Sequence, residues 1–167
     1  MDTDRAVNIL KNAILLEKKG HAFYSNVALQ SPEGPVKDFF AMMAEEEIKH
    51  IQILSEQFRS FQKDGSFKAE NYDEKFSGEV DMKVITEGFK KAVSAADYEA
   101  AAVAAAMNME ENAVRLYSDR AAEASDENEK NLYEWLAKWE REHMRFLSEI
   151  DRELTQEVWN DNSFWPF

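Results

Sequence analysis

The sequence predicts an all-α fold: a four-helix bundle made of two helix pairs, with a long crossover between the second and third helices and a short aromatic C-terminal tail. Three observations lead there. Four long stretches carry apolar side chains at alternating steps of three and four, the repeat of one helix face. The middle of the chain loses that rhythm for longer than a tight turn between antiparallel neighbours needs. The halves also share a register, since Glu47-Ile48-Lys49-His50 and Glu140-Arg141-Glu142-His143 lie 93 positions apart, the separation of His50 and His143. Each motif runs on into a Leu-Ser-Glu tail, beginning at Leu54 and Leu147. Glu17 and Glu110 keep the offset, as do Tyr24 and Tyr117, so the chain reads as a duplicated helix pair.

The first helix is expected from about Thr3 to Gln30, with Leu10, Ile14, Glu17, His21, Tyr24 and Ala28 along one face. It stops at the breaker cluster Ser31-Pro32-Glu33-Gly34-Pro35. The second carries Val36, Phe40, Met43, Glu47, His50, Leu54 and Phe61 on its stripe and fades near Lys63-Asp64-Gly65. From about Gln62 to Met82, Gly, Asp, Lys and Ser with scattered aromatics (Phe67, Tyr72, Phe76) form the crossover. A short helical stretch near Val84 to Val93 leads to Ser94-Ala95-Ala96-Asp97, which has the character of a capping box. The third helix then runs to about Ala124, with Val103, Met107, Glu110, Val114, Tyr117 and Ala121 inward. Its alanine run, Ala100 to Ala106, reads as helix propensity and close packing. Ser125 is the expected cap of the fourth helix, whose stripe is Leu136, Glu140, His143, Leu147, Ile150 and Leu154. Trp159, Phe164, Trp165 and Phe167 make a tail too short to span a bilayer, expected to pack on the bundle or on a neighbouring subunit.

A length of 167 residues suits one domain, residues 1–167. With 20 basic against 33 acidic residues the chain offers no basic surface for nucleic acid or an anionic membrane, whereas metal cations suit it. Without cysteine there is no disulfide, no thiolate zinc site and no Cys-ligated iron. The acidic start and the lack of a long apolar run predict a soluble, cytoplasmic protein.

Glu17, Glu47, Glu110 and Glu140 interrupt stripes that are otherwise apolar, so each carboxylate is aimed at the core. An unpaired buried carboxylate costs several kcal/mol even after relaxation, and four together repel one another. Positive charge must offset them. No Lys or Arg sits at the central levels of the stripes, which leaves two histidines and metal ions. A spacing of i to i+3 stays on nearly one helix face, so Glu47 with His50, and Glu140 with His143, can each direct two donors at a shared centre. Four carboxylates and two imidazoles balance two divalent ions, and oxygen with imidazole ligation without sulfur favours iron or manganese. One Glu-x-x-His in a glutamate-rich helix is ordinarily a solvated pair. Two in register, holding two of only three histidines, are not. The third, His21, follows Glu17 by four residues and reads as a core histidine or a group beside the ligands. Tyr24 and Tyr117 lie two turns beyond Glu17 and Glu110, and either pack in the core or hydrogen-bond a ligand carboxylate on a neighbouring helix.

These residues resemble the ferritin-like di-iron carboxylate superfamily, whose scheme takes one Glu from each of two helices and Glu-x-x-His from each of the others. Within it the likeness is to the rubrerythrin group, carried by Ile14-Leu-Leu-Glu17-Lys-Lys-Gly-His-Ala-Phe-Tyr24 and Ala106-Met-Asn-Met-Glu110-Glu-Asn-Ala113-Val-Arg-Leu-Tyr117. The resemblance spans nearly the whole chain. It implies that Glu47 and Glu140 bridge two metals, with Glu17 and His50 completing one ion and Glu110 and His143 the other. It also implies a non-haem oxidoreductase with two iron ions, or manganese or another divalent metal, reacting with hydrogen peroxide or dioxygen. A homo-oligomer is expected, a dimer in the first place. Rubrerythrins usually append a Cys-ligated rubredoxin domain, which this cysteine-free sequence does not contain, so the electron donor is expected to be external. They also tend to carry a further glutamate one turn after the third-helix ligand, where this chain has Ala113, and Gly20 at the repeat equivalent. Small residues there either leave a gap for a diatomic or let helices approach. Two other functions fit the same ligands: a ferroxidase with Fe(II) as substrate, serving iron storage or delivery, and a non-catalytic, metal-stabilised or metal-sensing interaction module.

Overall fold

The computed structural model describes residues 3–72, 88, 89, 92 and 98–160. Four long helices account for most of them: α1 (Thr3–Gln30), α2 (Pro35–Asp64), α3 (Tyr98–Glu123) and α4 (Glu127–Asn160). α1 packs chiefly on α2, and α3 chiefly on α4. This is the four-helix bundle the apolar stripes predict. The expected capping box at Ser94 to Asp97, the tail residues Phe164, Trp165 and Phe167 and most of the stretch from Val84 to Val93 lie outside the described residues.

The α1–α2 turn shows why the breaker cluster stops one helix and starts another. Gly34 has φ 134°, a conformation closed to residues with a Cβ, and Pro35 follows at the first helical position, where its missing N–H leaves no bond unmade. At the other end Gly65 is left-handed at φ 68° and donates its N–H to the Phe61 carbonyl at 2.9 Å. α4 begins differently from the expectation. Asp126, not Ser125, is its cap: Asp126 Oδ1 accepts the Glu129 N–H at 2.9 Å, and the Asp126 carbonyl accepts the Lys130 N–H at 2.9 Å.

The core falls into two clusters. One gathers Tyr24 and Val27 from α1, Phe39, Phe40 and Met43 from α2, Val103 and Ala106 from α3, and Leu147 and Ile150 from α4. The other takes Leu10 and Ala13, Ile53 and Leu54, Ala113 and Tyr117, and Leu132, Tyr133 and Leu136 from the same four helices. On every helix Glu17, Glu47, His50, Glu110, Glu140 and His143 fall between these two sets, so they occupy a polar layer at mid-bundle. The inward stripes are centred slightly off the expected ones: Ala13 and Gly20 are buried on α1 where Ile14 and His21 are half-buried, and Ala106 and Ala113 on α3 where Met107 and Val114 are half-buried. These four small residues are two repeat pairs. They let the helices close around the layer where larger side chains would hold them apart.

The start of the crossover is better ordered than its polar composition suggests. Gln57 on α2 donates to the Lys68 carbonyl at 2.9 Å and to the Tyr72 hydroxyl at 2.7 Å, and accepts the Lys68 N–H at 2.9 Å. Asn128 on α4 donates to the Phe67 carbonyl at 3.2 Å. Phe67 and Tyr72 are thereby buried against the bundle. Among the described residues no helix is long and apolar enough to cross a membrane.

Candidate metal centre

All six residues with the Glu and Glu-x-x-His pattern are buried, none more than 3% exposed. They form two overlapping sets. Glu17, Glu47, His50 and Glu140 bring one donor atom each to within 4.8 Å of one another, and so do Glu47, Glu110, Glu140 and His143. Glu47 and Glu140 belong to both sets, the placement expected of carboxylates shared by two ions.

Protons alone do not satisfy this arrangement. His50 Nδ1 faces Glu140 Oε1 at 3.0 Å, Glu17 Oε2 at 3.2 Å and Glu47 Oε2 at 3.7 Å, and His143 Nδ1 faces Glu140 Oε2 at 3.1 Å and Glu110 Oε1 at 3.7 Å. One ring N–H can serve one acceptor well. Buried Glu140 Oε1 has no hydrogen-bond partner despite its closeness to His50. A cation satisfies several lone pairs at once, and the donor set, carboxylate oxygen and imidazole without sulfur, suits iron or manganese.

The ionisation equilibria carry the same strain. Burial raises the Glu47 carboxyl well above its usual range, and neighbouring Glu17 and Glu140 add to the rise. Burial and the charge of Glu140 lift Glu110 to about 7. Burial opposes protonation of His143, yet Glu110 and Glu140 hold it up to about 9, and His50 is raised for the same reason, led by Glu140. Glu140 moves the other way: burial would raise it, but the attraction of His50 and a hydrogen bond from His143 hold it well below the usual value. Without metal the layer keeps protons to limit the repulsion of its carboxylates.

The two tyrosines settle on the hydrogen-bonding alternative. Tyr24 on α1 donates to Glu110 Oε1 on α3, and Tyr117 on α3 donates to Glu17 Oε1 on α1. This reciprocal cross-linking fixes the two carboxylates that are not shared. Burial, reinforced by Glu110 and Glu17 respectively, raises both phenols well above their ordinary value, so they remain donors. His21 is placed elsewhere. Its Nδ1 donates to the Ala44 carbonyl at 3.0 Å, tying α1 to α2, and neither metal set includes it. The gap imagined at Gly20 is filled, because a Cβ built there would stand 3.1 Å from Glu47 Cδ and 3.2 and 3.3 Å from its two oxygens.

The model of the Rubrerythrin family matches residues 8–151, a span that contains all six candidate ligands. The chain belongs to the rubrerythrin family. No curated protein and no solved structure matches it. Within a rubrerythrin the two Glu/His sets suit a di-iron or other two-metal site. Sequence reasoning missed what lies behind the candidate ligands on one side: His50 is flanked by Trp135 and Trp139, with ring centroids at 5.9 and 6.1 Å. Both indoles lie one residue off the predicted stripe of α4, on the flank turned to α2. Only the phase of one helix against the other brings them to His50.

Proposed function

We propose that this rubrerythrin-family chain is a non-haem di-iron oxidoreductase that reduces hydrogen peroxide or dioxygen with electrons from an external donor. The observation that carries the reading is the sharing of Glu47 and Glu140 between two buried four-donor sets. Glu47 and Glu140 would bridge, Glu17 and His50 would complete one ion, and Glu110 and His143 the other. Two iron ions held so closely supply two electrons together to an O–O bond. The chain supplies the rest. Tyr24 and Tyr117 hold Glu110 and Glu17 in one orientation, so these carboxylates keep their places when the charge of the centre changes. The apolar clusters above and below the layer exclude bulk water, which strengthens every charge interaction within it.

Stopped-flow mixing of the diferrous protein with peroxide and with dioxygen tests this. Oxidation of two irons per chain within seconds by one of them is the expected result. Oxidation that takes hours with both would leave a structural or sensing site. Continued oxidation of added Fe(II) well beyond that stoichiometry would move the protein to the ferroxidase class.

A further inference from the structure

The end of the bundle that holds Trp135 and Trp139 is chemically unlike the other. Trp135 lies 5.2 Å from Trp139 and 5.3 Å from Tyr72, ring centroid to centroid, and both indoles meet the His50 ring nearly at right angles, 86° and 90°. His50 turns Nδ1 to the carboxylates, while its buried Nε2 has no hydrogen-bond partner. The histidine therefore joins the metal layer to an indole pair. Trp135 is buried and Trp139 half-buried, so the pair reaches from the layer to the surface of α4.

The internal repeat separates function from packing. At the same 93-residue offset that relates His50 and His143, the counterparts of Trp135 and Trp139 are Met42 and Glu46. Both are buried, and Glu46 pairs with Lys49 at 2.6 Å. The fold thus closes at this level without indoles. Next to the layer the duplication is kept closely: Tyr117 stacks on Tyr133 at 5.9 Å as Tyr24 stacks on Phe40, the counterpart of Tyr133, at 6.3 Å. Phenylalanine, which resists one-electron oxidation, supplies most rings at the far end, in Phe23, Phe39, Phe40 and Phe89. Among the described core rings the oxidisable ones are concentrated in the cluster beside His50, which holds Tyr72, Tyr117, Tyr133, Trp135 and Trp139, against Tyr24 in the far cluster.

We propose that Trp139, Trp135 and His50 form a one-electron conduit between the surface of α4 and the Glu17–His50 side of the metal centre. The conduit rests on the di-iron reading above. Each hydrogen peroxide reduced to two waters takes two electrons and two protons, leaving two Fe(III). The electrons return one at a time from the external one-electron donor to Fe(III), and the two indoles and His50 are the medium through which each tunnels, without themselves being oxidised or reduced.

The test uses the full chain in a Trp159→Phe, Trp165→Phe background, which leaves Trp135 and Trp139 as its only indoles. After the metal stoichiometry has been measured, anaerobic protein loaded with Fe(II) or with Zn(II) is oxidised by flash-generated tris(bipyridine)ruthenium(III). The oxidant takes one electron from an indole, whose N–H proton passes to water. In the iron protein one Fe(II) refills the radical and becomes Fe(III), and the proton returns; Zn(II) has no electron to give. The expected result is radical decay roughly an order of magnitude faster with Fe(II) than with Zn(II), and loss of that acceleration in Trp135→Phe. Trp139→Phe, at the half-buried ring, should lower the radical yield and guards against misfolding of the buried variant. Equal decay with both metals, an acceleration that survives Trp135→Phe, or an unchanged yield in Trp139→Phe would overturn the conduit. Peroxide takes no part, so these failures are separate from a failure to react with oxidant; a chain that binds no Fe(II) would sink both readings.

Discussion

At the residue scale the centre depends on which carboxylates are shared. Glu47 and Glu140 serve both sets, so Glu47→Ala or Glu140→Ala should abolish binding of both ions, whereas Glu17→Ala should lose one. Metal analysis after dialysis, or calorimetric titration, reads the stoichiometry, and two ions per chain in Glu47→Ala would refute the bridge. Gly20 is a subtler probe. Alanine there gains up to about 1 kcal/mol of helix propensity, yet its Cβ would press on the Glu47 carboxylate at 3.1 Å. Gly20→Ala should therefore leave metal-free stability equal or higher while weakening metal affinity; unchanged affinity would show that Glu47 moves aside freely. Tyr24→Phe should keep its metal, since the phenol touches Glu110 through a single oxygen. The buried cluster of six candidate ligands was legible in the sequence because buried charge on an apolar stripe is conspicuous and the repeat doubles the signal. The Trp135 and Trp139 contacts to His50 were not, because indoles beside a stripe look like ordinary packing until the neighbouring helix is in place.

At the element scale a second asymmetry between the helix pairs lies in an ion pair that joins α3 to α4. Arg120 donates Nε to Glu129 Oε1 at 2.8 Å, and both side chains are buried. The repeat counterparts are Val27 and Val36, also buried. Removing one partner leaves the other charge buried alone, so Arg120→Ala should cost about 3–5 kcal/mol. Arg120→Val with Glu129→Val copies the other half and should be markedly less destabilising than the single change. Urea denaturation of the metal-free variants decides it, and a double variant as weak as the single would show that the pair does more than compensate itself. Helix limits were read closely from sequence where Gly and Pro mark them, at Gly34, Pro35 and Gly65. The cap of α4 was misplaced by one residue because Ser125 and Asp126 are both good caps, and only the turn geometry chooses between them. Stripe centres were misread for a related reason: Ala13, Gly20, Ala106 and Ala113 carry little hydrophobic signal, although they are buried one turn either side of Glu17 and Glu110.

For the whole molecule, duplication and topology were legible because a register of matched residues survives in the chain, while the packing of the crossover up to Tyr72 depends on Gln57 and Asn128 meeting it from separate helices. The same duplication stacks four carboxylates at mid-bundle and ties global stability to pH. His143 titrates near 9 in the fold against 6.5 unfolded, so its contribution is complete below 6.5 and is lost as pH rises toward 9. Glu110, raised to about 7 from 4.5, holds a proton in the fold that the unfolded chain has released, so stability also falls between those values. Glu140 acts oppositely, but its depressed value puts its loss at lower pH. The metal-free protein should therefore unfold at progressively lower denaturant as pH rises from about 5 to 9. Metal ions bound at the layer would replace the protons that hold it together, so binding at pH 7 should release protons, chiefly from His50, His143 and Glu47, and affinity should increase over the range in which the apoprotein weakens. Titration in buffers of different ionisation enthalpy measures that release. Binding without proton release, or an apoprotein that strengthens toward pH 9, would mean that Glu47, His50, Glu110 and His143 do not hold the protons that burial beside one another gives them.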